Sequence, residues 1–302
     1  MAPRSTFRRL LPLAALLSGL VGGRVTQAQV QVTLEMKRST YVAHEPIIGT
    51  LTLINRAGQD IILGDSDGLG WLDYSVTDNR GNLVIPSASA ANEAPIVLAS
   101  GKTYTKEVTI NKYYPMSTIG NYRVKATVTL GQMNRVFQTT PVSVQVTNAQ
   151  ALWSQIVGVP TGHPRAGTYR KYELMTFYHG ARGRSLFFRV SDSDTGIVYR
   201  TYPIGDYMTV HPPEQAIDSQ NQLHVLHMTG PSAYKYTVID IDGYPVKQQS
   251  LFESKNTRPS LKTNEFGEVV VLGGMTEEEV GKPYEQTQFR RLSERPPGLP
   301  SQ

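Results

Sequence analysis

Cysteine is absent from all 302 residues. No disulfide, thiol nucleophile, thiolate metal ligand or lipid-modified cysteine is therefore possible, and burial alone must hold the fold. Tryptophan occurs only twice and charged residues make up only 18 % of the chain. The His-Glu-x-x-His of a metalloprotease is missing. Gly101-Lys102-Thr103 lacks the first glycine of a phosphate loop, because Ile96 stands there, and it leads into a strand pattern where a helix is needed. The apolar run Leu10 to Val21 falls short of the roughly 20 residues that cross a bilayer as a helix.

That run has another reading. Arg4, Arg8 and Arg9 precede it, and Thr26-Gln27-Ala28 places small residues at −3 and −1. The layout is that of a signal peptide over 1–28, cut before Gln29, so export to a periplasm or to the extracellular space is expected. Four of the five net positive charges lie in this segment, which contains no acid, and the remainder carries +1. A charge so near zero gives no electrostatic case for nucleic acid or anionic lipid. An exported chain without cysteine suits a bacterial envelope. Composition leaves the oligomeric state open.

What is present is a strand alphabet: abundant Thr, Val, Tyr, Gly and Pro. From 29 to 148 the dominant period is two. Val30, Val32, Leu34 and Met36 alternate with polar residues, as do Tyr122, Val124, Ala126, Val128 and Leu130, and Val142, Val144 and Val146. Further strands are expected at 47–55, 59–63, 71–77, 104–110 and 135–139, with turn residues between them. Successive strand residues face opposite sides, so each run buries one face. Seven or eight such strands in about 120 residues predict a two-sheet antiparallel sandwich.

The segment 149–167, rich in Pro and Gly at its end, reads as a linker, and 168–275 as a second antiparallel β domain. Here the sequence repeats. Pro213, Ala216, Ile217, Asp218, Asn221, Leu223, Val225 and Leu226 recur as Pro259, Lys262, Thr263, Asn264, Gly267, Val269, Val271 and Leu272, at an offset of 46. Val190 to Val198 also echoes Val238 to Val246. Repeats of this length built from short strands are typical of propeller blades. The domain has room for about three, and closed rings usually need at least four, so an open β assembly is expected, with a partial ring completed by another chain as the alternative. The tail 276–302 reads as poorly ordered.

Tyr41, Glu45-Pro46 and then Leu51, Leu53 and Asn55, together with Gly120-Asn121-Tyr122-x-Val124, carry a resemblance to bacterial exported Ig-like and macroglobulin-type sandwich domains. The resemblance implies an Ig-like fold over the first half and places Tyr122 at a tyrosine corner, its ring buried and its hydroxyl bonded to nearby backbone. It implies a fold more than an activity.

Three sets of residues are candidates for chemistry. His211, His224 and His227 lie close to Asp218, but His224 and His227 differ by three, so on a strand they face opposite ways and cannot share a metal. Asp65/Asp67/Gly68, Asp192/Asp194/Gly196 and Asp240/Asp242/Gly243 place oxygens where calcium could sit. Val76, Pro203 and Leu251, however, occupy the twelfth position where an EF-hand needs Glu. Ordinary Asp-Gly turns are expected instead. Trp71, Tyr113, Tyr114, Tyr169, Tyr172, Tyr178, Tyr199, Tyr202, Tyr207, Tyr234 and Tyr236 suit either a recognition surface or a β core.

No catalytic, cofactor-binding or metal residue is assigned. The expectation is an all-β, exported, non-catalytic binding or structural protein with a protein or polysaccharide partner. The alternatives are a hydrolase using the second domain's His and Asp residues, or a sandwich-type protease inhibitor acting through the loop Pro86–Pro95. That loop is rich in Ala and Ser, where an inhibitor needs rigidity.

Overall fold

The computed structural model describes residues 30–64, 70–88, 94–131, 134–254 and 257–280. The signal-peptide reading, the Asp65/Asp67/Gly68 turn and most of the tail lie outside them. The described residues form an all-β protein without α-helix. None of it contains a helix long and apolar enough to cross a membrane.

The first half carries β1 (Val30–Met36), β2 (Thr40–Val42), β3 (Ile48–Asn55), β4 (Ile61–Leu63), β5 (Leu72–Thr77), β6 (Ile96–Leu98), β7 (Thr103–Thr109), β8 (Gly120–Leu130), β9 (Arg135–Gln138) and β10 (Val142–Thr147). One sheet runs β1-β3-β7, a second β2-β10-β8-β5 with β9 on β8, and β4 pairs with β6. All of these pairings are antiparallel except β2 with β10, which is parallel. The alternation read from sequence decides the burial. In β8, Tyr122, Val124, Ala126, Val128 and Leu130 are buried while Arg123 is exposed, and in β3 Leu51 and Leu53 join them in one shared core.

The Tyr41 and Glu45-Pro46 motif shapes the passage from β2 to β3. The Tyr41 hydroxyl donates to Ile48 O at 3.1 Å, and the Arg38 guanidinium stacks 4.7 Å above the Tyr41 ring. Buried Glu45 pairs with Arg38 and accepts the Val42 N–H at 3.0 Å. Asn111 closes the clamp, accepting from Ile47 N and donating to Glu45 O, both at 2.8 Å. At the far end of this half Tyr122 is buried and its hydroxyl donates to Thr118 O at 2.8 Å.

The second half begins earlier than the sequence suggests. Gln150–Gly158, read as linker, is a nine-residue strand, β11. It lies at the edge of its sheet and is exposed over most of its length, so its hydrophobic residues show no alternation. It leads into β12 (Tyr169–Tyr178), β13 (Arg184–Asp192) and β14 (Val198–Asp206), a four-stranded antiparallel meander. A second meander follows: β15 (Glu214–Ile217), β16 (Leu223–Gly230), β17 (Ala233–Ile239) and β18 (Pro245–Phe252). The hairpin of β19 (Ser260–Thr263) and β20 (Val269–Leu272) comes next, and β21 (Met275–Thr276) returns to pair with β18. β21 takes in Thr276, the first residue of the expected tail. No sheet closes on itself among the described residues.

The 46-residue offset is exact in structure. It carries the bounds of β15 onto β19, and the first four residues of β16 onto β20. Leu223 and Val225 pack toward the first meander, whose Tyr172, Leu174, Phe188 and Val190 complete that core. Val271, the counterpart of Val225, behaves alike one layer on, packing with Leu226, Tyr236 and Val238 of the second meander. The units stack face to face, each on the one before.

Candidate functional site

The turns explain the aspartates. In Asp240–Tyr244 the Asp240 Oδ1 accepts from the N–H groups of Asp242 and Tyr244 at 3.0 and 2.7 Å. Asp218 and Asn264 do the same in their own hairpins, as does Asp78 in the first half. Each turn carries a left-handed residue at its fourth position: Gly81, Gly243, Gly267, and Asn221 where the glycine is missing. At Gly243, φ is +83° and an added Cβ would stand 2.5 Å from Val190 Cγ1, so neither the conformation nor the space admits another residue. Asp192 accepts from the N–H groups of Asp194 and Thr195 and from the Thr195 hydroxyl. These bonds, that of the Thr195 N–H foremost, hold its pKa down to about 2. The aspartates are turn caps.

His224 and His227 lie on opposite faces of β16. His224 sits among the residues facing β19–β20, with Nε2 3.1 Å from Asp218 Oδ2 and Nδ1 2.7 Å from the Tyr236 hydroxyl. This carboxylate–imidazole–phenol chain is enclosed, His224 being 6 % and Tyr236 4 % exposed. His227 faces β14, is 1 % exposed, and neither ring nitrogen makes a hydrogen bond. Burial first, then the charge of Lys235, hold its pKa down to about 4; the Asp206 backbone pulls weakly the other way without coming into hydrogen-bond alignment. His211 joins neither, and its carbonyl accepts the Tyr207 hydroxyl at 3.3 Å. No group of three or more His, Asp or Glu among the described residues is placed to hold a metal ion.

Half of the ten tyrosines singled out are core, while Tyr169 and Tyr178 are exposed. Tyr114, Tyr172, Tyr207, Tyr234 and Tyr236 are buried, and the Tyr172 hydroxyl ties the two meanders together by donating to Asn221 O at 2.9 Å. Tyr199 and Tyr202 are half-buried and belong to a different setting.

Where the two halves meet, Val42 packs on Met175 and Phe187, and residues of the segment Arg38–Ile47 line two hollows. The first, a cleft of ≈ 350 Å³, is lined by His44 and Pro46 from the first half and by Tyr199, Arg200, Tyr202 and Tyr244 from the second. Tyr244, which the sequence reading passed over, is 49 % exposed. The Arg200 guanidinium lies 3.5 Å from its ring centroid and donates Nε–H to Asp242 O at 3.2 Å. His163 Nε2 lies 3.0 Å from Asp242 Oδ2 behind them. The Tyr199 hydroxyl donates to Asp192 Oδ2 at 3.0 Å, and the guanidinium groups of Arg165 and Arg170 lie against its ring at 4.9 and 4.5 Å.

His44 is the unusual member. The turn Val42–Glu45, closed by Glu45 N–H to Val42 O at 2.9 Å, puts His44 at the position that takes positive φ, and it stands at +68°. Glycine is the ordinary occupant of that position. A side chain held there against its preference is a mark of sites where the side chain has a task. Burial and the neighbouring Arg189 lower the His44 pKa, so the ring is neutral near pH 7 and offers one donor and one acceptor. Nothing in the sequence flags His44 without knowledge of that turn. The cleft can offer a ring face, a guanidinium edge and a neutral imidazole, and none of its lining residues among those described is acidic. No protein-family model matches the chain, and no curated protein is detectably similar to it.

Proposed function

We propose that this is an exported, non-catalytic binding protein of the cell envelope or extracellular space that takes a polysaccharide segment in the cleft between its halves. The observation that carries the reading is His44 at φ +68° facing Tyr244 and Arg200 across a cleft of ≈ 350 Å³. Binding pockets favour domain junctions and combine apolar walls with a few convergent polar groups. A half-exposed tyrosine ring suits the flat C–H face of a pyranose, while Arg200 and His44 supply hydrogen bonds to hydroxyls. The lack of a lining carboxylate favours neutral sugar over a basic peptide.

The Ig-like reading of the first half and the blade reading of the second belong to the same proposal. The first is supported by two sheets around one core with Tyr122 bonded to Thr118. The second is supported by two consecutive four-stranded meanders and a hairpin at the 46-residue offset.

One observation favours a hydrolase, namely the Asp218–His224–Tyr236 chain. Its burial argues for a structural role, since His224 and Tyr236 are closed off from solvent. Affinity electrophoresis in gels containing neutral polysaccharides tests the proposal: wild-type protein is retarded by at least one, and Tyr244→Ala is not. Equal migration of both proteins in every gel counts against it.

A further inference from the structure

We propose that the second hollow between the halves is an oxyanion site, taking a carboxylate or phosphate group. This crevice, of ≈ 390 Å³, shares no lining residue with the aromatic cleft, and the proposal does not depend on the reading of that cleft. Three cations reach it from three separate elements. Arg38 comes from the β1–β2 connection, Arg182 from the β12–β13 loop and Lys235 from β17; among the described residues Asp206 is the one acid on its wall. Arg38 is engaged by Glu45, but neither Arg182 nor Lys235 forms an ion pair among the described residues.

Local structure fixes these groups. Gly180 and Gly183, at φ +69° and +84°, turn the loop so that His179 N–H donates to Gly183 O at 2.8 Å, which sets His179 and Arg182 side by side. Lys235 stands opposite His227 in the β16–β17 register and faces the first meander. Gly205 lets it approach, since a Cβ there would lie 3.3 Å from Lys235 Cδ and 3.0 Å from His227 Nε2. The floor of the crevice is thus one backbone layer above a fully buried imidazole with no hydrogen bond of its own.

The electrostatics agree with the geometry. After burial, the charges of Arg38 and Arg182 are the largest causes that lower the His179 pKa, so a positive field converges on this wall. Unpaired cations on a concave surface with low-dielectric walls concentrate anions, and charge-assisted bonds to carboxylate or phosphate oxygens are the strong ones. The Ser185 hydroxyl adds a neutral donor on the same wall. The hollow exceeds the size of one such group, so the oxyanion is best read as a substituent on a larger molecule.

Isothermal titration with inorganic phosphate, galacturonate and neutral galactose tests this. One or both anions are expected to bind, galactose is not, and the better anion identifies the group. Arg182→Gln, at an exposed site, with Lys235→Gln, at a half-buried one, is expected to weaken anion binding by about tenfold or more. His44→Gly, in the aromatic cleft, should leave it unchanged. Absence of binding by both anions, or binding undiminished in the double variant, overturns the proposal. Absence of retardation of the wild type in every polysaccharide gel, with anion binding intact, would count against the aromatic cleft alone.

Discussion

Arg189 in β13 donates Nη2–H to the backbone oxygen of Ala43 at 2.8 Å, joining residues 146 apart in sequence and one half of the molecule to the other. Its Nε also donates to Thr201 Oγ1 at 3.0 Å, so the guanidinium is held before it reaches across. Ala43 immediately precedes His44 in the strained turn. The same contact therefore joins the halves and fixes a wall of the cleft.

Arg189→Met removes a charge-assisted bond to a backbone acceptor, worth about 1.5–3 kcal/mol. Calorimetry should show a lower midpoint, with the loss falling on the coupling between halves so that the transition broadens or divides. A single transition at the wild-type midpoint would show that Arg189 does not couple them.

Tyr122→Phe deletes the hydroxyl bonded to Thr118 O and should cost about 1 kcal/mol. Tyr122→Ala also leaves a cavity in the sandwich core and should cost about 3–5 kcal/mol. Denaturant unfolding of the two variants gives both values. Equal midpoints for wild type and Tyr122→Ala would remove this ring from the core account.

His227 predicts a pH dependence with a definite sign. Its folded pKa of about 4 lies below the ordinary 6.5, so the unfolded chain binds a proton that the folded chain refuses. The stability from this group is complete above pH 6.5 and is lost as pH falls toward 4, by up to about 3 kcal/mol. His227→Leu should flatten the stability profile in that window while leaving stability near pH 7 unchanged or higher, because two unbonded polar atoms are removed with the ring. An acid limb identical in the two proteins would contradict it.

Asp240→Ala deletes the acceptor of two backbone N–H groups in the turn that presents Tyr244. The freed groups can reach water, so the stability cost should be only about 1 kcal/mol. Polysaccharide affinity should fall more than that cost suggests, with Asp240→Asn restoring it. Unchanged affinity in Asp240→Ala would mean that the turn does not position the ring.

The strands of both halves were legible because period two in Val30–Met36 and Tyr122–Leu130 is a direct imprint of one buried face. The 46-residue offset was legible because equivalent residues meet equivalent neighbours, as Val225 and Val271 do. β11 was hidden by its edge position, and β2 and β6 by their length of three residues. The separation of His224 from His227 followed from strand geometry, but the Tyr236 bond to His224 needed the β16–β17 register. The cleft was the least legible feature. Its residues come from three distant segments around His44, Arg200 and Tyr244, none of which carries a periodic signal, and its mark is a backbone angle that no composition records.

That angle gives the most direct test of the binding reading. His44→Gly relieves a positive φ at a turn position that glycine fills without strain, so the fold should be as stable as wild type or more so. If His44 is held there for a ligand, affinity for the polysaccharide that retards the wild type should fall about tenfold, the value of one lost hydrogen bond at a buried contact. Isothermal titration of the two proteins with that polysaccharide measures it. Reduced affinity with undiminished stability is the result this account predicts; equal affinity in the two proteins would contradict it.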